Sequence, residues 1–321
     1  MKFLLNFFFL FLISFSTLSA QEAKPQLEQA AEKTTEVKPI ANSLLWAISG
    51  NGLTDTSYLY GTIHLIGKDD FFLTDQTKTA FDKSQKVTFE INMEEMSDLG
   101  TQMGLMMKAF MSDGQTLSDL LDADKYKEVK AHFEKMGMND FMWQMMERIK
   151  PMFLTVFGSM DMSNGGGLNT GEMMSYEMEF MDMAQTKEKS MGGLETAAYQ
   201  MSMFDSIPYK AQAAMLYESI KIEDTTGNDQ LDEMVKLYKN QDIKGMMKMF
   251  AADEEGIGQY EDLLLVGRNK NWIPVMQKMM GEQITFFAVG AGHLGGINGV
   301  VNLLKAEGYT LTPLNLSLIH I

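Results

Sequence analysis

The chain has 321 residues, 45% of them hydrophobic, enough to bury the core of one large domain or two ordinary ones. Its formal charge of −16 excludes nucleic acid and anionic membrane surfaces as natural partners, because both require a basic face. With no cysteine, the chain has no disulfides and must rest on packing alone.

Residues 1–20 have the anatomy of a cleavable signal peptide. Lys2 gives a positive start, Leu4 to Phe15 form an apolar run, and Leu18-Ser19-Ala20 present small residues before Gln21. The expectation is an exported protein, periplasmic or secreted. An uncleaved anchor is the competing reading, and the run is short for a membrane span. No cysteine follows Ala20 to carry a lipid, and no later segment has an apolar run of membrane-helix length. Residues 21–42 are polar and charged, as in a flexible spacer.

The pattern changes at Ser43. Leu44–Ser49 reads as a strand, Gly50-Asn51-Gly52 as a turn and Ser57–Tyr60 as a second strand, together a β-hairpin. Lys86–Ile91 forms a third strand with Glu90 near its end. From about 95 to 280 the chain reads as predominantly helical. Phe141, Met142, Met145, Met146 and Ile149 recur on one helical face before Pro151 closes the run. Leu231, Met234, Val235 and Tyr238 repeat that spacing, as do Leu194, Ala198 and Met201. Ser163–Gly167 is a loop between helical blocks.

Strand character returns at Ile284–Val289, a continuous apolar run of the kind buried on both faces of a sheet. A helix across Gly299–Gly308 and a last strand at Tyr309–Thr312 follow. The fold class is therefore α/β (or α+β), with a central sheet from N- and C-terminal strands and a large helical middle region as its cover or cap. The 31 methionines cluster at Met103–Met111, Met142–Met146 and Met173–Met183. Thioethers select copper(I), but these positions have helical spacing and are better explained as core filling.

Of the four histidines, His132 lies in a charged helical segment and reads as a surface residue, and His320 sits in the terminal tail. The other two share a pattern: an apolar strand runs into Gly61-Thr62-Ile63-His64, and another into Gly290-Ala291-Gly292-His293. Glycine permits close backbone approach, and a histidine just past a strand end is presented at the carboxyl edge of the sheet, where open α/β folds place their sites. Imidazole there serves as metal ligand or general base. A single such histidine is as readily a hydrogen-bonded structural residue; two in one setting point to a site. A metal site also needs carboxylates, and Glu90 is the best placed. Glu195, read as opening a helix after the Gly192-Gly193 turn, is a second candidate, with charge compensation of the helix N-terminus as its ordinary explanation. Arg268 and Asn269 suit an anionic intermediate or a substrate carboxylate, or are an ordinary surface cation and cap. Neither G-x-S-x-G nor H-E-x-x-H occurs.

The segments YLYGTIHL, TFEIN, GGLETAAYQ, LLLVGRNKNW and FFAVGAGHLGGINGVVNLLKAEGYTLTPL together resemble the TraB/PrgY/GumN family, which includes the Tiki proteins, over about Ser43–Leu314. The resemblance implies a fold similar to the erythromycin esterase/ChaN-like group. In Tiki relatives the paired Gly-x-x-His motifs and a glutamate support a divalent-metal-dependent protease, with manganese or cobalt as the metal. The matching positions are His64, Glu90 and His293, with Glu195, Arg268 and Asn269 as further motif positions. Asn315–Ile321 continues past the family pattern and resembles translated sequencing-adapter read-through, so this tail reads as non-native and His320 receives no role.

The expected function is an exported metal-dependent hydrolase, a peptidase acting on peptide or protein. His64, Glu90 and His293 hold the metal, Glu195 acts as general base or fourth ligand, and Arg268 and Asn269 stabilise the oxyanion. Two alternatives stand beside it: a non-catalytic binder of peptide or glycan in the same cleft, and a metal-independent esterase-like hydrolase with histidine as base.

Overall fold

The computed structural model describes residues 40–92, 98–158, 173–226, 229–252 and 256–314. The expected signal peptide, most of the expected spacer, the expected Ser163–Gly167 loop and the tail 315–321 lie outside the described residues. The strands are β1 Leu45–Gly50, β2 Ser57–Thr62, β3 Ile66–Gly67, β4 Lys86–Ile91, β5 Met173–Met174, β6 Ser190–Glu195, β7 Thr285–Gly290 and β8 Tyr309–Pro313. Six of them form one sheet in the order β6-β4-β7-β2-β1-β8, while β3 and β5 pair apart.

The expected hairpin is present. β1 and β2 pair antiparallel, and Gly50, Asn51 and Gly52 between them all have positive φ, the backbone region that favours glycine and asparagine. β8 joins β1 antiparallel, so the C-terminal strand completes the sheet beside the N-terminal one. The other half is parallel: β2 pairs with β7, β7 with β4 and β4 with β6. Every residue of β2 and β7 is buried, as a parallel strand covered on both faces requires. Because these four strands run the same way, their carboxyl ends share one edge of the sheet.

The helices are α1 Asp75–Lys83, α2 Leu99–Ala109, α3 Leu117–Leu120, α4 Ala123–Lys135, α5 Asp140–Met146, α6 Pro151–Gly158, α7 Tyr176–Thr186, α8 Ala197–Met203, α9 Tyr209–Thr226, α10 Asp229–Lys239, α11 Ile243–Ala251, α12 Gly267–Glu282 and α13 Val300–Ala306. The chain is thus mixed α/β, with its helical middle placed in the two long connections β4-to-β6 and β6-to-β7. On one face of the sheet, Phe180 of α7 packs against Tyr60, Phe81 and Phe286 at ring-centroid distances of 5.4, 5.6 and 5.0 Å. These rings anchor the helices to the strands that carry the site.

Several local readings differ from the structure. Gly192 and Gly193 do not form a turn: they lie inside β6, an edge strand within the span read as helical. A Cβ on Gly193 would stand 2.3 Å from Asn92 N, so glycine here lets β6 lie against the end of β4. Glu195 consequently ends a strand, and α8 begins after it with Thr196 as its N-cap. Pro151 opens α6, where a missing N–H costs nothing. On α5 the apolar face points outward. Phe141, Met142 and Met145 are exposed, while Trp143 is buried and donates to Tyr126 Oη at 2.9 Å. Met103 and Met107 are exposed as well, so core filling accounts for only part of the methionine clusters. His132 is not on the surface but buried, its ring edge-on to Phe133.

Candidate functional site

His64 lies two residues beyond β2. Its Nδ1 is 3.0 Å from Glu177 Oε1, and the same oxygen accepts from Thr62 Oγ1 at 2.6 Å. Glu177 stands in the first turn of α7, where the helix N-terminus favours a carboxylate, and its Oε2 accepts from Ser175 Oγ at 3.1 Å. A carboxylate only accepts, so Nδ1 carries the proton and Nε2 is turned to the other side of the ring. Burial pulls the His64 pKa down, but the Glu177 charge outweighs it and holds the group above its ordinary value.

His293 ends a short 3₁₀ turn, Ala291–His293, directly after β7. Its Nδ1 is 2.6 Å from Asn269 Oδ1, while Asn269 Nδ2 donates to Asn298 O at 2.9 Å. The second bond fixes the amide orientation, so Nδ1 is again the protonated nitrogen. His293 Nε2 accepts from Arg268 Nη1 at 3.0 Å. Complete burial, reinforced by the guanidinium, pushes the pKa of His293 down to about 3 and keeps the ring neutral. Trp272 packs on it at 4.4 Å between ring centroids.

Glu90, on β4, joins the two histidine segments. Its Oε1 accepts from Gly290 N at 2.9 Å and lies 3.6 Å from His293 Nε2, and its Oε2 accepts from Arg268 Nη2 at 2.5 Å and Gln200 Nε2 at 3.1 Å. Burial opposes its charge, yet Arg268, His293, His64 and the Gly290 N–H together hold the carboxyl well below the usual range. Glu195, at the end of β6, takes Arg268 Nε at 2.9 Å and Gln200 Nε2 at 3.2 Å on Oε1, and Trp272 Nε1 at 2.9 Å on Oε2. Burial pushes the Glu195 pKa up, with Arg268 opposing.

The two glycines explain the closeness. A Cβ on Gly61 would meet Leu294 Cδ1 at 2.6 Å and Ala291 Cα at 3.1 Å, so β2 and the turn after β7 touch because Gly61 has no side chain. A Cβ on Gly290 would stand 3.2 Å from Glu90 Oε1, 3.6 Å from His293 Cδ2 and 4.0 Å from His64 Nε2. That one point lies among all three expected ligands. His64, Glu90, Glu195, Arg268, Asn269 and His293 therefore form one cluster at the carboxyl edge of the parallel strands. Sequence reasoning missed Glu177 and Gln200; neither belongs to a Gly-x-x-His segment, and Glu177 is 113 residues from His64.

The donor chemistry suits a divalent cation: two imidazoles oriented through Nδ1, and a carboxylate between them. Among the described residues no three acidic or histidine side chains already stand in ligating geometry. The Arg268 guanidinium, bound to both Glu90 and His293, keeps these groups engaged with itself.

Comparison with known proteins agrees with the expected resemblance. Residues 44–313 match the model of the TraB/PrgY/gumN family. "Metalloprotease TIKI1" of Danio rerio is 22% identical over 332 residues, covering 88% of this chain and 65% of the relative. "Metalloprotease TIKI1" of Homo sapiens is 22% identical, covering 84% of this chain and 61% of the relative, and "Metalloprotease TIKI homolog" of Nematostella vectensis is 21% identical, covering 84% and 66%. The chain thus spans just under two thirds of the length of these relatives. No solved structure matches it significantly. The matched span runs from the first strand of the sheet to the last, and the chain belongs to the TraB/PrgY/gumN family.

Proposed function

We propose that this chain is an exported metal-dependent hydrolase, a peptidase acting on peptide or protein, with residues 43–314 as its working domain. One observation carries the metal reading: both histidines have Nδ1 tied to a protein acceptor, Glu177 or Asn269, which leaves Nε2 as the unprotonated, lone-pair nitrogen of each ring, in His293 engaged by Arg268. The names of the relatives support the peptidase reading. Among the described residues no helix is long and apolar enough to cross a membrane.

In this reading His64, Glu90 and His293 hold the ion, manganese or cobalt by family resemblance. A divalent ion so held lowers the pKa of water and polarises a scissile carbonyl. Glu195 serves as proton acceptor, a task helped by its upward-shifted pKa, or as a fourth ligand. Arg268 offers N–H groups to a developing oxyanion. Asn269, with both ends of its amide engaged inside the protein, acts by orienting His293 and not by touching substrate.

Cleavage of a peptide library with and without chelator tests the reading. Cleavage that stops with chelator and returns with manganese or cobalt is expected. Peptide binding without turnover would instead mark a non-catalytic receptor, and chelator-insensitive ester hydrolysis a histidine-based esterase.

A further inference from the structure

Arg148 and Arg268 are the only arginines among 27 basic residues. Lysine meets nearly every other need for positive charge in this chain, so the guanidinium at position 268 points to a need for its planar, five-donor fork. That fork is fully used. Nε and Nη2 reach Glu195 Oε1 at 2.9 and 2.7 Å, and Nη1 donates to Leu264 O at 3.1 Å. The two remaining donors reach Glu90 Oε2 at 2.5 Å and His293 Nε2 at 3.0 Å. Leu264 belongs to a single π-helical turn, Asp262–Val266, just before α12, and such turns often occur at functional sites.

A neutral imidazole nitrogen has one lone pair. His293 Nε2 cannot give it to Arg268 and to a metal ion together. A divalent ion arriving beside a buried guanidinium also meets like charge at low dielectric.

Resting on the metal reading above, we infer that Arg268 is an internal cation that competes with the divalent ion for Glu90 and His293, and so sets how tightly the site loads. Loading releases two of its five donors. The other three remain on Glu195 and Leu264 O, and the guanidinium keeps its place 4.8 Å over the Trp272 ring. Arg268 therefore has somewhere to stay when the ion enters. The apparent affinity for the ion is the intrinsic affinity multiplied by the fraction of molecules in which Arg268 has let go.

Manganese titration of the wild-type chain and of Arg268→Gln tests the inference, with His293→Ala as the control that empties the site. If Arg268 holds the ligands in nine molecules of ten, the variant binds about tenfold tighter. Equal or weaker binding by a folded variant, beside His293-dependent binding by the wild type, overturns the competition and leaves the metal reading standing. No binding by either chain overturns both. Because the variant leaves two buried carboxylates unpaired and risks misfolding, the second measurement uses the wild-type chain. With two arginines in the sequence, ¹⁵N-arginine NMR resolves Arg268 directly. Saturating zinc, a diamagnetic substitute, moves its Nη signals and leaves Nε, held by Glu195, nearly fixed. Nη signals unmoved by bound zinc overturn the inference.

Discussion

His64 reaches Glu177 across 113 residues of sequence, and the Thr62 and Ser175 hydroxyls hold that carboxylate in place. Glu177→Gln keeps the shape but removes the charge that makes the imidazole a strong donor. Manganese affinity is expected to fall about tenfold, with the fold intact, because outer-shell partners of ligating histidines typically contribute that much. Affinity unchanged in isothermal titration would leave Glu177 a purely structural residue. Gly61→Ala acts differently. Its Cβ would press on Leu294 and the Ala291 backbone, at a cost of about 1–3 kcal/mol measurable in urea unfolding. At this scale the sequence was informative wherever a motif existed. Gly61, His64, Gly290 and His293 could be read directly, whereas Glu177 could not, because an acidic first turn on a helix has an ordinary explanation and nothing in the sequence links it to β2.

Among the elements, strand ends do the positioning. β2, β4, β6 and β7 deliver Thr62, Glu90, Glu195 and Gly290 to one edge because they run parallel. β2 and β7 were recognisable by their apolar stretches and β4 by its alternating Val87, Phe89 and Ile91. β6 was hidden because its Gly-Gly pair, poor strand material in isolation, is there to let two strands meet. On α5, helical spacing identified the helix but not its inner face, which Trp143 determines. Helices α2, α3 and α4 carry a pH signature of their own. Backbone N–H groups of their first turns or caps hold Asp98, Asp119 and Asp122 below the usual aspartate pKa. A carboxyl lowered on folding contributes stability above its unfolded pKa and loses it as pH falls through the folded value. Asp98→Asn, Asp119→Asn and Asp122→Asn combined keep capping groups without charge. The triple variant should therefore lose less stability than wild type between about pH 5 and 3, as read from urea midpoints. Parallel acid limbs for the two proteins would refute that assignment.

Across the described residues, the sheet sets the first strand, β1, beside the last, β8, and each long helical connection returns to a parallel strand. The outer architecture was legible because hairpin, parallel strands and final strand each carry a local pattern. The burial of Arg268 was not, since neither its neighbours in sequence nor a net charge of −16 shows that one cation lies between two glutamates and a histidine. Its ordinary explanation, a surface cation, fails on burial alone.

In the proposed function, two strand-end histidines and Glu90 hold one divalent ion. Metal content of the purified protein after equilibration with manganese, measured by mass spectrometry on wild type, His64→Ala and His293→Ala, tests it most directly. About one ion per wild-type chain is expected, with loss of that ion in each folded variant. Equal metal content in all three proteins would contradict it.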